Sequence, residues 1–181
     1  MQNKIEKLID QEDWSGARKE ILAELSQFPD DHWLLTRLGL TYYEQRDYKK
    51  AFEITEKAFK LAPNCPLVLW DLAGCLQALE RHEEAIKIYR RLISKGVDEV
   101  AYGECGEGKA RARGLIADCY YRLSISYRAL GKENLSLKSF EEHLDIRGPG
   151  CYSIYPLKDL LKENKLQNKR AKRLRTSKPT R

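Results

Sequence analysis

The sequence predicts an all-α protein assembled from repeated pairs of helices. Its 181 residues are 42% hydrophobic and 33% charged and include only six prolines, a composition typical of helical domains. Apolar residues also recur at spacings of three and four, as in Leu34, Leu38 and Tyr42, which is the pattern of a helix with one buried face. A chain of this length forms one domain or a short array of repeats.

The helical segments repeat with a period of about 34 residues. One unit is marked by Leu38, Gly39, Tyr42, Tyr48, Ala51, Ala58, Phe59 and Pro63. The corresponding positions one period later hold Leu72, Ala73, Leu76, His82, Ala85, Tyr89, Leu92 and Ile93, and those one period earlier hold Leu8, Trp14, Ala17, Ile21, Leu25 and Pro29. A fourth unit, marked by Tyr120, Leu123, Ser124, Tyr127, Gly131, Ser136, Phe140 and Leu144, follows the third after one and a half periods. The extra half period predicts an insert between the third and fourth units.

This pattern resembles the tetratricopeptide repeat, in which each unit is a pair of antiparallel helices. The resemblance implies a right-handed α-solenoid of about 3.5 to 4 helix-turn-helix units within residues 1–155. We assign the units to residues 1–30, 31–64, 65–96 and 111–146, with the insert at 97–110. Small residues such as Gly39 and Ala85 lie where two helices must approach closely, and Pro29 and Pro63 follow the second helix of their units.

In proteins of this family the first helix of each unit lines a concave groove. The resemblance therefore implies a partner-binding groove formed by Trp33, Thr36, Leu40, Tyr43, Trp70, Gln77, Tyr121, Ile125 and Arg128. The charged form of such grooves, which grips a C-terminal carboxylate, needs Asn where this chain has Leu40 and Asp71, and only Arg122 matches it. Aromatic and apolar side chains remain, so we expect a protein partner that offers an apolar peptide or helix. Packing of some of these side chains between helices is the alternative interpretation.

The insert contains the string GECGEGKA, residues 103–110, which has the Gly-x4-Gly-Lys spacing of a phosphate-binding loop. Position 110 is Ala where Ser or Thr would hold magnesium, no buried strand precedes the string, and Glu104 and Glu107 would repel phosphate. We expect residues 93–100 to be a helix end followed by one charged turn. Within the string, Gly103, Cys105, Gly106 and Gly108 then form a tight turn that serves as a second contact surface.

No pattern of catalytic or metal-binding residues is evident in the sequence. The five cysteines are odd in number, widely spaced and without a CxxC pair, and the three histidines do not match them in spacing. We therefore expect reduced thiols, no metal, no cofactor, no small-molecule substrate and no enzymatic activity. The charged N-terminal stretch and the lack of a long apolar run predict a cytoplasmic protein without membrane insertion.

The C-terminal part of the chain is strongly basic. Ten Lys or Arg and two Asp or Glu from Leu157 onward give a net charge of +8, whereas the preceding residues carry −2. Leu160 and neighbouring leucines predict a capping helix over residues 156–168, and residues 169–181 form a basic flexible tail. A nucleic-acid-associated protein that uses this tail is the alternative function, although no aromatic residue is interleaved with the basic ones.

Overall fold

The computed structural model describes residues 2–147, 151–156, 158–160 and 162, and this part of the chain forms eight named helices. They are α1 (Gln2–Asp10), α2 (Trp14–Leu25), α3 (His32–Glu44), α4 (Tyr48–Leu61), α5 (Pro66–Ala78), α6 (His82–Tyr102), α7 (Lys109–Ala129) and α8 (Glu133–Ile146). Each helix packs chiefly on its neighbours in sequence, and α3 also contacts α5. The predicted all-α solenoid of helix pairs is confirmed.

The repeat is visible in the backbone of the turns. One residue in the turn between the two helices of each pair has a left-handed conformation: Glu12, Arg46, Glu80 and Gly131, with φ of 57°, 64°, 60° and 70°. The first three follow one another at a single repeat period, whereas Gly131 follows Glu80 after one and a half periods. Only at the fourth turn is the residue a glycine, which adopts this conformation without steric cost.

The interior of the described part of the chain contains two apolar clusters, and Phe59 packs against both. The first contains Ile5, Ile21 and Leu34 from the N-terminal helices, and the second is centred on the fully buried Tyr89. Helices α3 and α4 approach closely because Gly39 lacks a side chain: a Cβ there would lie 2.6 Å from the Thr55 Oγ1 atom. The small residue that the repeat pattern requires at this position thus has a direct packing role.

The insert is more helical than the sequence suggested. After Gly96, whose φ is 73°, the chain resumes a helical path that continues to Tyr102. Our expectation of a charged turn in this region was wrong. The side chains of Val100 and Ala101 are buried in the second cluster, which also contains Ala112 of α7. Burial of these side chains favours a further helical turn over an open loop.

Residues 151–156, named the extended segment, are neither helix nor strand, bend at Ile154 and Tyr155 and lie on α7. Residues 158–160 and 162 are helical, with Leu160 buried. Most of the predicted capping helix and the whole basic tail over 169–181 lie outside the described residues. The nucleic-acid alternative therefore stays a sequence prediction. No helix within the described part of the chain is both long enough and apolar enough to cross a membrane.

Candidate functional site

A cavity of about 870 Å³ opens where the N-terminal ends of α3, α5 and α7 converge. Its apolar wall consists of Trp33, Leu67, Trp70, Leu115, Tyr152 and Ile154. These side chains come from three helix pairs and from the extended segment 151–156, and the insert closes one side through Cys105 and Gly106. A concave, mainly apolar space with a few polar groups is the usual form of a binding site.

The structure brings together some of the predicted groove residues and separates others. Trp33 and Trp70 are half-buried and line the cavity. Thr36 and Gln77 do not, because they are buried within the helix packing. The hydroxyl of Thr36 donates to the Trp33 carbonyl over 2.7 Å, and the amide of Gln77 donates to the Arg122 carbonyl over 2.9 Å. The side chains of Thr36 and Gln77 are thus engaged within the helix packing, and their part in partner binding stays a prediction.

The remaining predicted residues lie outside the cavity. Leu40, Ile125 and Arg128 are half-buried and are not part of its lining. Tyr121 is covered by the chain itself, since its ring lies 4.3 Å from the ring of Tyr155, measured between centroids. The concave face at α7 is thus occupied by an extended segment of the same molecule.

Asp118 of α7 fixes the extended segment in place. Its carboxylate accepts hydrogen bonds from the Ser153 hydroxyl at 2.5 Å and from the Ile154 backbone N–H at 3.0 Å. Gly114 permits the close approach, because a Cβ at this position would lie 1.7 Å from the Tyr152 carbonyl oxygen. Burial raises the pKa of Asp118, and the two hydrogen bonds partly oppose that rise.

A polar cluster lies beside the cavity around Arg122. Its guanidinium donates to the Tyr43 hydroxyl at 3.0 Å and lies 5.8 Å from the Trp70 ring centroid. A Cβ at the neighbouring Gly74 would lie 3.8 Å from Nη2, which is an ordinary contact distance. A cationic group over an aromatic face is stabilised by the ring's quadrupole, so the cluster fixes the orientation of Trp70.

The insert brings one cysteine next to a histidine and a second cysteine at the mouth of the cavity. The Nε2 atom of His32 lies 3.1 Å from the Cys105 Sγ atom. These two atoms and the Sγ atom of Cys65 all lie within 4.8 Å of one another. The pKa of the Cys105 thiol is raised to about 12, chiefly by desolvation. The contact with Cys65 and the carboxylates of Glu104 and Glu107 act in the same direction.

This cluster was not predicted, because its three residues are 33 and 40 positions apart along the chain. One signal could have revealed it. Cys65 occupies the position one repeat period after Asp31, so the two residues are equivalent in neighbouring units. A cysteine at a position that caps a helix elsewhere in the chain is unusual enough to suggest a separate role.

The glycine-rich string does not have the form of a phosphate loop. It follows helical residues instead of a strand. The N–H groups of Gly103, Gly106 and Gly108 donate to carbonyls within the insert, at Glu99, Gly103 and Ala101 respectively. The Lys109 ammonium pairs with Asp98 at 2.9 Å. Donors that a phosphate would need are therefore engaged in holding the insert together.

Two family models described as tetratricopeptide repeat match the sequence, one over residues 5–64 and the other over residues 42–103. A curated relative, anaphase-promoting complex subunit 3 of Schizosaccharomyces pombe (strain 972 / ATCC 24843), is 26% identical over 126 residues. That alignment covers 70% of this chain but only 16% of the relative, so the chain spans about a sixth of that protein.

Solved structures with the same fold include several of MamA. One crystal structure of MamA has a TM-score of 0.61 at 21% identity and covers 78% of this chain and 68% of that one. The structure of MamA from residue 41 to its end, from Desulfovibrio magneticus RS-1, has a TM-score of 0.64 at 15% identity and covers 80% and 72% of the two chains. At these identities the likeness establishes the fold alone.

Proposed function

Because this chain belongs to the tetratricopeptide repeat family, we propose that it is a protein-interaction scaffold whose cavity binds an extended apolar segment of a partner protein. Solenoids of stacked helix pairs use their concave surface for binding, and the side chains that line this surface select the partner. The observation that carries the proposal is the cavity wall formed by Trp33, Leu67 and Trp70, which continues along the face where residues 151–155 already lie.

The chain's own segment supports an extended occupant over a helical one. On α7, a carboxylate of Asp118 holds a backbone N–H of residues 151–155 while the Tyr155 ring packs on Tyr121. A backbone hydrogen bond combined with a pocket for an aromatic side chain is a recurring way to bind extended peptides. A partner segment in the cavity would contact Tyr152 and Ile154 and place its own aromatic or aliphatic side chain against Trp33 and Trp70.

The two tryptophans supply most of the expected affinity. Aromatic side chains bury about 150–250 Å² each, and tryptophans at the centre of an interface commonly cost about 2 kcal/mol or more when truncated. Both are half-buried in the absence of a partner, so each has surface left to cover.

A displayed library of random peptides, selected on the full chain, tests this function. We expect enrichment of peptides with closely spaced aromatic or aliphatic residues, and binding of a selected peptide that weakens by about 100-fold or more in a Trp33→Ala/Trp70→Ala variant. Trp14→Ala is the control, because Trp14 is half-buried but lies outside the cavity lining. Circular dichroism checks that helicity is unchanged.

Trp70 also packs on Tyr89, with ring centroids 5.9 Å apart, so its removal could loosen the fold. Leu67→Glu provides a second variant that places a charge in the cavity from a half-buried position. Peptide binding that survives both the tryptophan variant and Leu67→Glu contradicts the proposal, as does a selection that enriches only charged peptides.

A further inference from the structure

We propose that His32, Cys65 and Cys105 form a Zn²⁺ site that fastens the insert to the N-terminal ends of α3 and α5. The site goes beyond the protein-binding function, because it assigns a metal and a structural role to the segment that distinguishes this chain from a regular array of repeats. One imidazole and two thiolates constitute a ligand set that zinc favours.

The three ligand atoms are close enough to share one ion. In a tetrahedral zinc site, bond lengths of about 2.0–2.3 Å place neighbouring ligand atoms roughly 3.3–3.8 Å apart. The ligand atoms here all lie within 4.8 Å of one another, and the His32 Nε2 to Cys105 Sγ distance is 3.1 Å. Adjustments of about 1 Å or less would therefore bring the three ligand atoms to the separations of a zinc site.

The position of Cys65 is the second argument. Asp31, its equivalent one repeat earlier, caps α3 by accepting hydrogen bonds from the N–H groups of Trp33 and Leu34 at 2.8 and 3.1 Å. Cys65 occupies the corresponding N-cap position of α5, but its side chain makes no capping hydrogen bond. Cys65 is completely buried. An Asp or Ser side chain at this position stabilises a helix by capping its first N–H groups. This stabilisation is absent where a thiol faces His32 and Cys105 instead.

The electrostatic surroundings suit a cation held by two thiolates. Cys65 is the N-cap residue of α5 and His32 is the first residue of α3, so two helices position two of the three ligands. Two thiolates neutralise one Zn²⁺, so the occupied site adds no net charge. The Glu107 carboxylate nearby is paired with Arg111 at 3.1 Å, and the Asp31 carboxylate is engaged in its cap.

Three protein ligands leave one position of a tetrahedral zinc ion open. All three ligand residues line the cavity that Trp33 and Trp70 also line. A water molecule would complete the tetrahedral coordination in the unbound protein, as is usual for zinc with three protein ligands. The ion thereby fixes the wall of the cavity that the insert provides.

Metal binding to the reduced full chain tests the site. We expect about one Zn²⁺ per chain by competition with a chromophoric chelator, and Co²⁺ in its place should give a thiolate-to-cobalt charge-transfer band. Cys105→Ser should weaken zinc binding by about 100-fold or more and abolish the band. Cys105 is exposed, so this variant is not expected to unfold. Cys151→Ser, which removes a partly exposed thiol elsewhere, should bind zinc as the unaltered chain does.

A structural readout separates a bound ion from loose thiol binding. Zinc should slow tryptic cleavage after Lys109 and Arg111 in the unaltered chain and in Cys151→Ser, but not in Cys105→Ser or His32→Ala. Equal zinc affinity in Cys105→Ser and the unaltered chain overturns the proposal. The proposal is also overturned if the reduced chain binds far less than one equivalent of Zn²⁺. This includes the case in which Cys65 and Cys105 form a disulfide in air but do not bind zinc once that disulfide is reduced.

Discussion

The guanidinium of Arg122 donates a 3.0 Å hydrogen bond to the hydroxyl of Tyr43, a residue 79 positions earlier in the chain. The bond joins α7 to α3 across α5, where the Trp70 ring lies 5.8 Å from the same guanidinium. One side chain of the fourth helix pair thus contacts the first helices of the two preceding pairs. In a stack whose units otherwise contact mainly their neighbours, such a connection stabilises the curvature of the concave face.

Arg122→Met should therefore destabilise the whole stack. A hydrogen bond to a charged group contributes about 1.5–3 kcal/mol, and we expect a loss in this range in the free energy of unfolding from urea titrations. Tyr43→Phe, which leaves the guanidinium in place, should cost about 1 kcal/mol. Arg90→Met on the exposed surface is the control and should be close to neutral. Equal effects of Arg90→Met and Arg122→Met would show that the connection has no energetic importance.

Asp71 should make the protein less stable as the pH rises from about 4 to about 7. Burial raises the pKa of its carboxyl from 3.8 to about 7, although the charge of Arg37 opposes the rise. Its Oδ2 atom is buried and has no hydrogen-bond partner within the described residues. Between these two pKa values the folded chain retains a proton that the unfolded chain has released, so deprotonation favours unfolding.

Asp71→Asn removes this titration while keeping the shape of the side chain. We expect the variant to be more stable than the unaltered chain at pH 8, on the order of 2 kcal/mol, with a much smaller difference near pH 4. Urea titrations at several pH values give the comparison, and Asp145→Asn, at an exposed position, is the control. A stability difference that does not change with pH would contradict the assignment of a raised pKa.

The fold could be predicted because each unit repeats the same local pattern of apolar and small residues. The site could not be predicted because it depends on interruptions of that pattern. The position of Gly39 within the 34-residue repeat was sufficient to predict that α3 and α4 approach closely there. Cys65 and Cys105 belong to different elements, and only the path of the insert brings them together. Tyr121 occupied a groove position by its spacing, but the extended segment that covers it has no helical period to predict its course.

His143 should give a pH dependence of the opposite sign. It is completely buried, and its Nδ1–H donates to the Ala117 carbonyl at 2.6 Å. Burial lowers the pKa of its imidazole, with the nearby charge of Arg147 acting in the same direction. As the pH falls below about 6.5, the unfolded chain takes up a proton that the folded chain resists, so stability decreases.

A His143→Gln variant should lose that part of the acid sensitivity. We expect a lower thermal midpoint than the unaltered chain at pH 8, because the ring contact with Tyr121 is lost, and a smaller further drop between pH 7 and pH 5. His82→Gln, at a half-buried position in α6, is the control and should keep the full drop. If His143→Gln shows the same pH slope as the unaltered chain, the folded imidazole does not have a lowered pKa.

Gly114→Ala should detach the extended segment from α7 without unfolding the stack. The added Cβ would lie 1.7 Å from the Tyr152 carbonyl oxygen, a distance that no side-chain adjustment can relieve because the obstructing atom belongs to the backbone. The segment must move, and the hydrogen bonds of Asp118 to Ser153 and Ile154 break with it. Hydrogen exchange at the Ile154 amide should accelerate by about 10-fold or more, since the loss of about 1.4 kcal/mol is sufficient for that change.

Gly74→Ala separates this steric effect from the general effect of alanine in a helix. Gly74 is also a buried helical glycine on the concave face, but a Cβ there would be no closer than 3.8 Å to a neighbour. Alanine favours a helix over glycine by about 1 kcal/mol, so Gly74→Ala should be neutral or stabilising and leave the Ile154 amide protected. Slow exchange at Ile154 in Gly114→Ala would mean that the segment follows a different path along α7. Because Tyr152 and Ile154 of the segment form part of the cavity wall, its release should also weaken binding of apolar peptides selected on the unaltered chain.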